Sequence, residues 1–230
     1  IVIEGERLPT SFRSGWHYME NRWEALIDSI IPYRFENTSP GLGRDTTEPL
    51  DNNYDWSRAS LDWVPFHPAA SDYQIRGDLK GWETRCMYMK NSTFDRMSVV
   101  FAAAFRGDNQ LVTIWSHLPE ADFPQQIIAV DSIIHLAHAY YPEVAFEYLT
   151  ATEAMKKWRG AQDDSAPTIA WTIHREPDST RVVIAVSEPL WQDAPLVFGK
   201  SPAGAVTVLV PRRSGERRWD AVFDEGSTPL

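Results

Sequence analysis

Two short segments carry the side chains best suited to chemistry: Thr10-Ser-Phe-Arg-Ser-Gly-Trp16 and Leu111-Val-Thr-Ile-Trp-Ser-His117. Each reads as a brief β-run that delivers one reactive group, Arg13 or His117, at its exit. A guanidinium holds a carboxylate bidentately and fixes its orientation, or clamps an anionic substrate. An imidazole is the usual proton donor or acceptor near neutral pH. Gly15, two residues past Arg13, allows a tight turn or a close approach to a ligand. Glu120 and Asp122 follow His117 closely enough to orient it. A sheet or barrel whose strand ends share one rim aims both groups at one substrate.

Other clusters carry less. Asp131, His135 and His138 fall at i, i+4 and i+7 of a helix, a spacing open to metal ligation. The apolar face of that helix (Ile127, Val130, Ile134, Ala137, Tyr141) lies opposite, so the three are expected to face solvent. His67, in Val-Pro-Phe-His-Pro, and His17, beside Trp16, are candidates for a cleft wall. His174 falls among later β-runs and reads as structural. Gly-x-Ser-x-Gly, a phosphate-binding glycine loop and a Rossmann fingerprint are all missing. Paired carboxylates for glycoside hydrolysis remain open, with Glu36, Asp62, Glu83 and Glu120 as candidates.

Those side chains need a scaffold, and 230 residues suffice for a substantial core. No run approaches the ~18 apolar residues of a membrane span. The single cysteine, Cys86, excludes an internal disulfide and a cysteine-rich zinc site. Net charge is -10, with 32 acidic against 22 basic residues and no evident basic stripe, which argues against nucleic acid as a partner. Ten tryptophans offer flat apolar faces suited to sugar rings, although large aromatics are usually core.

Periodicity predicts helices over 21–31 (Trp23, Leu26, Ile27 and Ile30 on the apolar face), 94–106, 124–141 and 150–158. Gly107 and Gly160 stand at C-terminal stops, and Thr150-Ala-Thr-Glu153 has capping-box spacing. Strands are expected at 83–89, 111–115 and 144–149, with a long loop over 37–72. Alternating strands and helices predict a parallel α/β sheet or partial barrel over residues 1–161. After a linker at 162–167, five strands (168–175, 181–187, 196–200, 205–210 and 218–223) predict a small antiparallel β-sandwich-like module over 162–230.

The order of these segments resembles the C-terminal half of polysaccharide deacetylases, a family that includes chitooligosaccharide and peptidoglycan deacetylases. Phe12-Arg-Ser-Gly-Trp16 is similar to the family's arginine motif, and Ile114-Trp-Ser-His117 to its late histidine motif. Pro65-Phe-His-Pro68, Gly77 and the strand from Glu83 resemble the proline-aromatic segment, and the strand and helix from Glu147 to Trp158 resemble the barrel's end. The resemblance covers about residues 8–160. It implies metal-assisted removal of acetyl groups from N-acetylated sugars, with His117 as general acid and Arg13 orienting the base. Trp16 and Trp115 would wall the sugar pocket, with His67 and Trp63 (after Asp62) as further contacts. It also implies a divalent metal, zinc foremost, and an extracellular or cell-envelope setting. The family's early Asp-Asp and His-x-x-x-His segments, which supply base and metal ligands, do not occur here. The reading therefore expects a preceding segment or a second chain to complete the barrel. A carbohydrate-binding protein without catalysis is the alternative from another class.

Overall fold

The computed structural model describes residues 9–38, 42–45, 52–161, 167–200, 203–224 and 228–229. The chain forms two compact units, one spanning Thr10–Ala161 and the other built on the chain from Gln162 onward.

In the first unit, strand β1 (Ser11–Phe12) leads through a 3-10 turn (Gly15–His17) to helix α1 (Asn21–Asp28), then β2 (Tyr33–Asn37). The expected long loop holds two hairpins, β3 (Leu42–Asp45) with β4 (Asn52–Asp55) and β5 (Pro68–Ala69) with β6 (Asp72–Arg76). Next come β7 (Trp82–Tyr88), α2 (Phe94–Phe105), β8 (Thr113–Trp115), α3 (Phe123–His138) and α4 (Ala151–Trp158). Strands β1, β2, β7 and β8 pair in that order, all parallel, as a half-barrel sheet. Segments 39–41 and 46–51 of the long loop lie outside the described residues.

Register assigns the two sheet faces, because directly paired residues share a side. Phe12, Arg34, Glu83, Met87 and Ile114 face α1, α2 and α3, where Met87, Met97, Val100, Phe101, Val130 and Ile134 form the main core. Tyr33, Phe35, Trp82 and Thr84 face the other way and are covered by α4 through Met155, Ala154 and Trp158. Arg159 donates to the Tyr33 hydroxyl at 2.9 Å, and the Thr84 hydroxyl lies 3.4 Å from Met155 Sδ. Helices thus lie on both faces, whereas a closed β/α barrel keeps them all outside.

Helix ends follow their caps. Thr93 accepts from the Arg96 amide, and Thr150 with Glu153 closes both arms of a capping box. Gly107 (φ 98°) and Gly160 (φ 64°) take the left-handed conformation that ends a helix. The expected strand at 144–149 does not form. Its Phe146 packs edge-on against Phe101 and His138 instead, with centroids 5.7 and 5.0 Å away.

Helix α1 departs from its predicted apolar face. Trp23 and Leu26 are exposed, while Glu24 and Asp28, one turn apart, are buried with Ile27. They grip the fully buried Arg34: Nε lies 2.6 Å from Glu24 and Nη2 3.1 Å from Asp28. Asp28 also accepts from the Gly81 amide at 2.6 Å. A Cβ on Gly81 would stand 2.1 Å from Arg34 Nη1, so glycine is required here for close approach. On α3, Ile127 is exposed and Gln126 is buried in its place.

In the second unit, β9 (Ile169–Arg175), β10 (Ser179–Val186), β11 (Val197–Lys200), β12 (Val206–Leu209), β13 (Arg212–Gly215), β14 (Arg218–Asp224) and β15 (Thr228–Pro229) form two sheets. One has the order β13-β14-β10-β9 and the other β12-β11-β15, and every pairing is antiparallel. Val182, Ile184, Val186, Val197, Trp219, Ala221 and Phe223 fill the space between them. The predicted linker lies outside the described residues, Pro167 excepted.

Candidate functional site

β1 and β8 are the opposite edges of the parallel sheet, three strand spacings or about 14 Å apart if it were flat. Even so, the Arg13 guanidinium carbon lies 3.6 Å from the centre of the Trp115 ring. His117 presents its ring edge-on to the same indole, with centroids 5.3 Å apart. Tyr88, the β7 partner of Trp115, packs on it at 4.7 Å. The C-terminal strand ends therefore gather Arg13, Tyr88, Trp115 and His117 at one rim.

Each side chain is held from behind. Arg13 Nη2 donates to His17 Nε2 at 3.2 Å, and His17 Nδ1 lies 3.2 Å from the Glu36 carbonyl oxygen. A guanidinium only donates, so His17 is neutral with its proton on Nδ1. Burial lowers its pKa to about 4, helped by the Arg13 charge and opposed by the bond to Glu36. His17 also takes the left-handed conformation at φ 55°, a strained choice for a non-glycine residue. Gly15 is not the residue that turns: a Cβ there would meet nothing within 4 Å. The Ser14 amide and hydroxyl both donate to the Glu36 carboxylate, the hydroxyl at 2.8 Å. Burial raises Glu36 to about 7 against these bonds.

On the other flank, His117 Nδ1 lies 2.9 Å from Glu120 Oε1. Glu120 also accepts from the Tyr88 hydroxyl at 2.6 Å, from Gln126 at 2.8 Å and from Lys90 at 2.8 Å. The Lys90, Tyr88 and Gln126 donors hold the Glu120 carboxyl far below the usual carboxylate range. Asp122 pairs with Lys90 at 3.1 Å rather than with His117. The His117 side chain is 63% exposed, so an anchored imidazole stands open to solvent.

Two of the expected sugar contacts lie elsewhere. His67 Nδ1 donates to the Gly81 carbonyl oxygen at 2.9 Å, and its ring packs on Trp82 with centroids 3.9 Å apart. That is the N-terminal end of β7, about 20 Å of strand from the Tyr88 end. Trp63 is 4% exposed in the main core, under the Arg85 guanidinium at 4.3 Å. It lines a groove with Leu61, Val99, Ala103 and Arg106 that opens at the end of the sheet away from Trp115. Trp16 belongs to the 3-10 turn, and its side chain lies outside the described residues.

Glu36 and Glu83 are both fully buried. Glu83 Oε1 accepts from the amides of Glu36, Asn37 and Thr84, and burial with the Glu24 and Glu36 charges raises its pKa well above the ordinary value. They brace the bulged β2–β7 pairing and are sealed from solvent. Asp62 is exposed, 3.7 Å from Arg76. His135 and Asp131 pair at 3.5 Å, while His138 is half-buried against Phe101 and Phe146 rather than facing solvent with them. No three His, Cys, Asp or Glu side chains gather as a metal site among the described residues.

Residue type and spacing single out Arg13, His117, Trp115 and Glu120. Nothing in the spacing points to Tyr88, Lys90 or Gln126, whose only signal is a position at the end of β7, in the 3-10 turn that follows it (Met89–Asn91) or at the start of α3. Among described residues no helix is long and apolar enough to cross a membrane. No protein-family model, no curated protein and no solved structure matches the chain.

Proposed function

We propose that the rim around Trp115 is the reactive site of a carbohydrate-active hydrolase of the polysaccharide-deacetylase type, acting on N-acetylated sugars. The observation that carries this reading is the meeting of Arg13 and His117 on one indole. His117, tethered through Nδ1 to Glu120, keeps Nε2 for a proton, and its role is to protonate the departing amine. Trp115 and Tyr88 supply a flat aromatic wall for a sugar ring. Arg13 is the group that orients the carboxylate base. Glu36, the carboxylate within its field, has both oxygens engaged by Ser14, so the base is not Glu36.

The divalent metal that the resemblance implies does not fit the donors present. His17 gives Nε2 to a guanidinium, a positive group that disfavours a cation at the same nitrogen, and Glu120 is saturated by Lys90, Tyr88, Gln126 and His117. No step is therefore routed through a metal held by these residues. A non-catalytic sugar platform would call for coplanar exposed indoles. The exposed ones among the described residues, Trp23 and Trp171, belong to different units.

The test is acetate released from N-acetylglucosamine oligomers by the longest native form of the protein. His117→Ala should lower the rate about 10²–10⁴-fold, the usual worth of a positioned general acid. Release undiminished in that variant removes His117 from the role.

A further inference from the structure

The four-stranded sheet of the second unit has one face in its core and one in solvent. Trp219 and Ile184 are paired and buried, so their side of β14 and β10 faces the β11–β12 sheet. By the same registers the opposite side carries Ala170, Thr172 and His174 on β9, Arg181, Val183 and Ala185 on β10, and Arg218, Asp220 and Val222 on β14, with Arg212 on β13. Val183 is buried and Asp220 half-buried, and the rest are exposed.

The charges on this face are unbalanced. Asp220 is its acid among the described side chains, and both its oxygens are engaged. Arg181 Nη2 lies 2.5 Å from Oδ2, and the Ser214 hydroxyl donates to Oδ1 at 3.0 Å. Arg212, directly opposite Asp220, and Arg218, two residues along β14, add two further guanidiniums. Three arginines thus surround one satisfied carboxylate on an open sheet, in a chain whose net charge is -10.

We propose that this face binds an acidic polysaccharide, one bearing carboxylates on its sugar rings. Guanidiniums grip carboxylates bidentately, which suits uronic acids. Strand geometry spaces these arginines about 7–14 Å apart. Duplex nucleic acid carries a charge every ~1.7 Å and is repelled by the acidic remainder of the chain, so a sparsely charged polymer is the better match. Ala170, Thr172 and Ala185 are small, exposed residues on the same face as the arginines, and sugar rings can rest on them. This site does not depend on the rim chemistry of the other unit.

The experiment titrates the full chain with a fluorescent oligogalacturonate at several salt concentrations. A neutral glucan oligomer and a single-stranded oligonucleotide of equal charge serve as comparisons. Oligogalacturonate should bind preferentially, and Arg212→Gln with Arg218→Gln should weaken it at least tenfold. The salt slope should fall by about one unit per arginine removed. Trp171→Ala, on the other face of β9, and His117→Ala should leave the affinity unchanged. Failure of the wild type to bind, or equal binding by the double variant, overturns the proposal. So does oligonucleotide or neutral-glucan binding as tight as that of the uronate.

Discussion

Arg13 and His117 both contact the same Trp115 ring, one through its guanidinium at 3.6 Å and the other in a T-shaped pair at 5.3 Å. Curvature of the half-barrel sheet brings the two strand exits within reach of one indole. Trp115 is therefore both a platform and a spacer. Its replacement should disturb both flanking groups.

On the proposed deacetylation, Trp115→Ala is expected to lower kcat/KM for acetate release at least tenfold. The cation–π contact alone contributes about 0.5–2 kcal/mol, and the alignment of both flanks goes with it. Trp115→Phe should retain more of the activity, because a smaller ring still supports the guanidinium. Equal rates for wild type and Trp115→Ala would show that the indole has no part in the site.

Glu120→Ala removes the acceptor shared by His117, Tyr88, Lys90 and Gln126. The imidazole then samples other rotamers, and small misplacements of a reacting group cost about a hundredfold in rate. Steady-state kinetics should record a fall in kcat of about 10–100-fold with little change in KM. A change confined to KM points to sugar binding rather than alignment of the acid.

Stability should fall as pH rises above neutrality. Burial raises Glu36 and Glu24 each to about 7 and lifts Glu83 in the same direction. A carboxyl with a raised folded pKa stabilises fully below its unfolded value, near 4.5, and loses that contribution as pH climbs through 7. His17 acts in the opposite sense. Its folded value of about 4 lies below its unfolded 6.5, so its stabilising contribution is complete above 6.5 and declines as pH drops toward 4. Above 6.5 the carboxyls alone are still titrating, and Glu36→Gln should flatten the decline between pH 6.5 and 8. Urea midpoints across that range decide it, and an identical slope in the variant is the contrary result.

Gly81→Ala and Gly15→Ala should behave oppositely. The first drives a Cβ to 2.1 Å from Arg34 Nη1 and 2.6 Å from Asp28 Oδ1. Disrupting a buried ion pair in this way costs about 3–5 kcal/mol. At Gly15 a Cβ meets nothing within 4 Å, so the change should stay within about 0.5 kcal/mol. Chemical denaturation of both variants is the measurement, and a tolerated Gly81→Ala is the outcome that defeats this account.

Local signals were legible where local physics decides the outcome. The Thr150–Glu153 capping box, the Gly107 and Gly160 stops and the five expected strands of the second unit depend on neighbouring residues. All of these appear close to their expected places, whereas β13 and β15 go beyond the expected five. Helix α1 buries a different face from the one amphipathic spacing predicts, because that spacing counts apolar residues. Its buried side is instead charged, and a partner on β2 makes that burial tolerable. The 144–149 segment alternates like a strand, but Phe146 gains more from the aromatic cluster around Phe101 than from an edge ladder.

From the sequence alone came the types of the reactive groups, their positions at strand exits, and the division into an α/β part and a β part. Tertiary structure alone decided which of them meet. It placed Arg13 and His117 on Trp115, moved His67 to the far end of β7 and Trp63 into the core, and gathered Arg181, Arg212 and Arg218 on one face. The physical reason is that pairing register and sheet curvature set distances between residues far apart in the chain, and neither is encoded in the spacing of one segment.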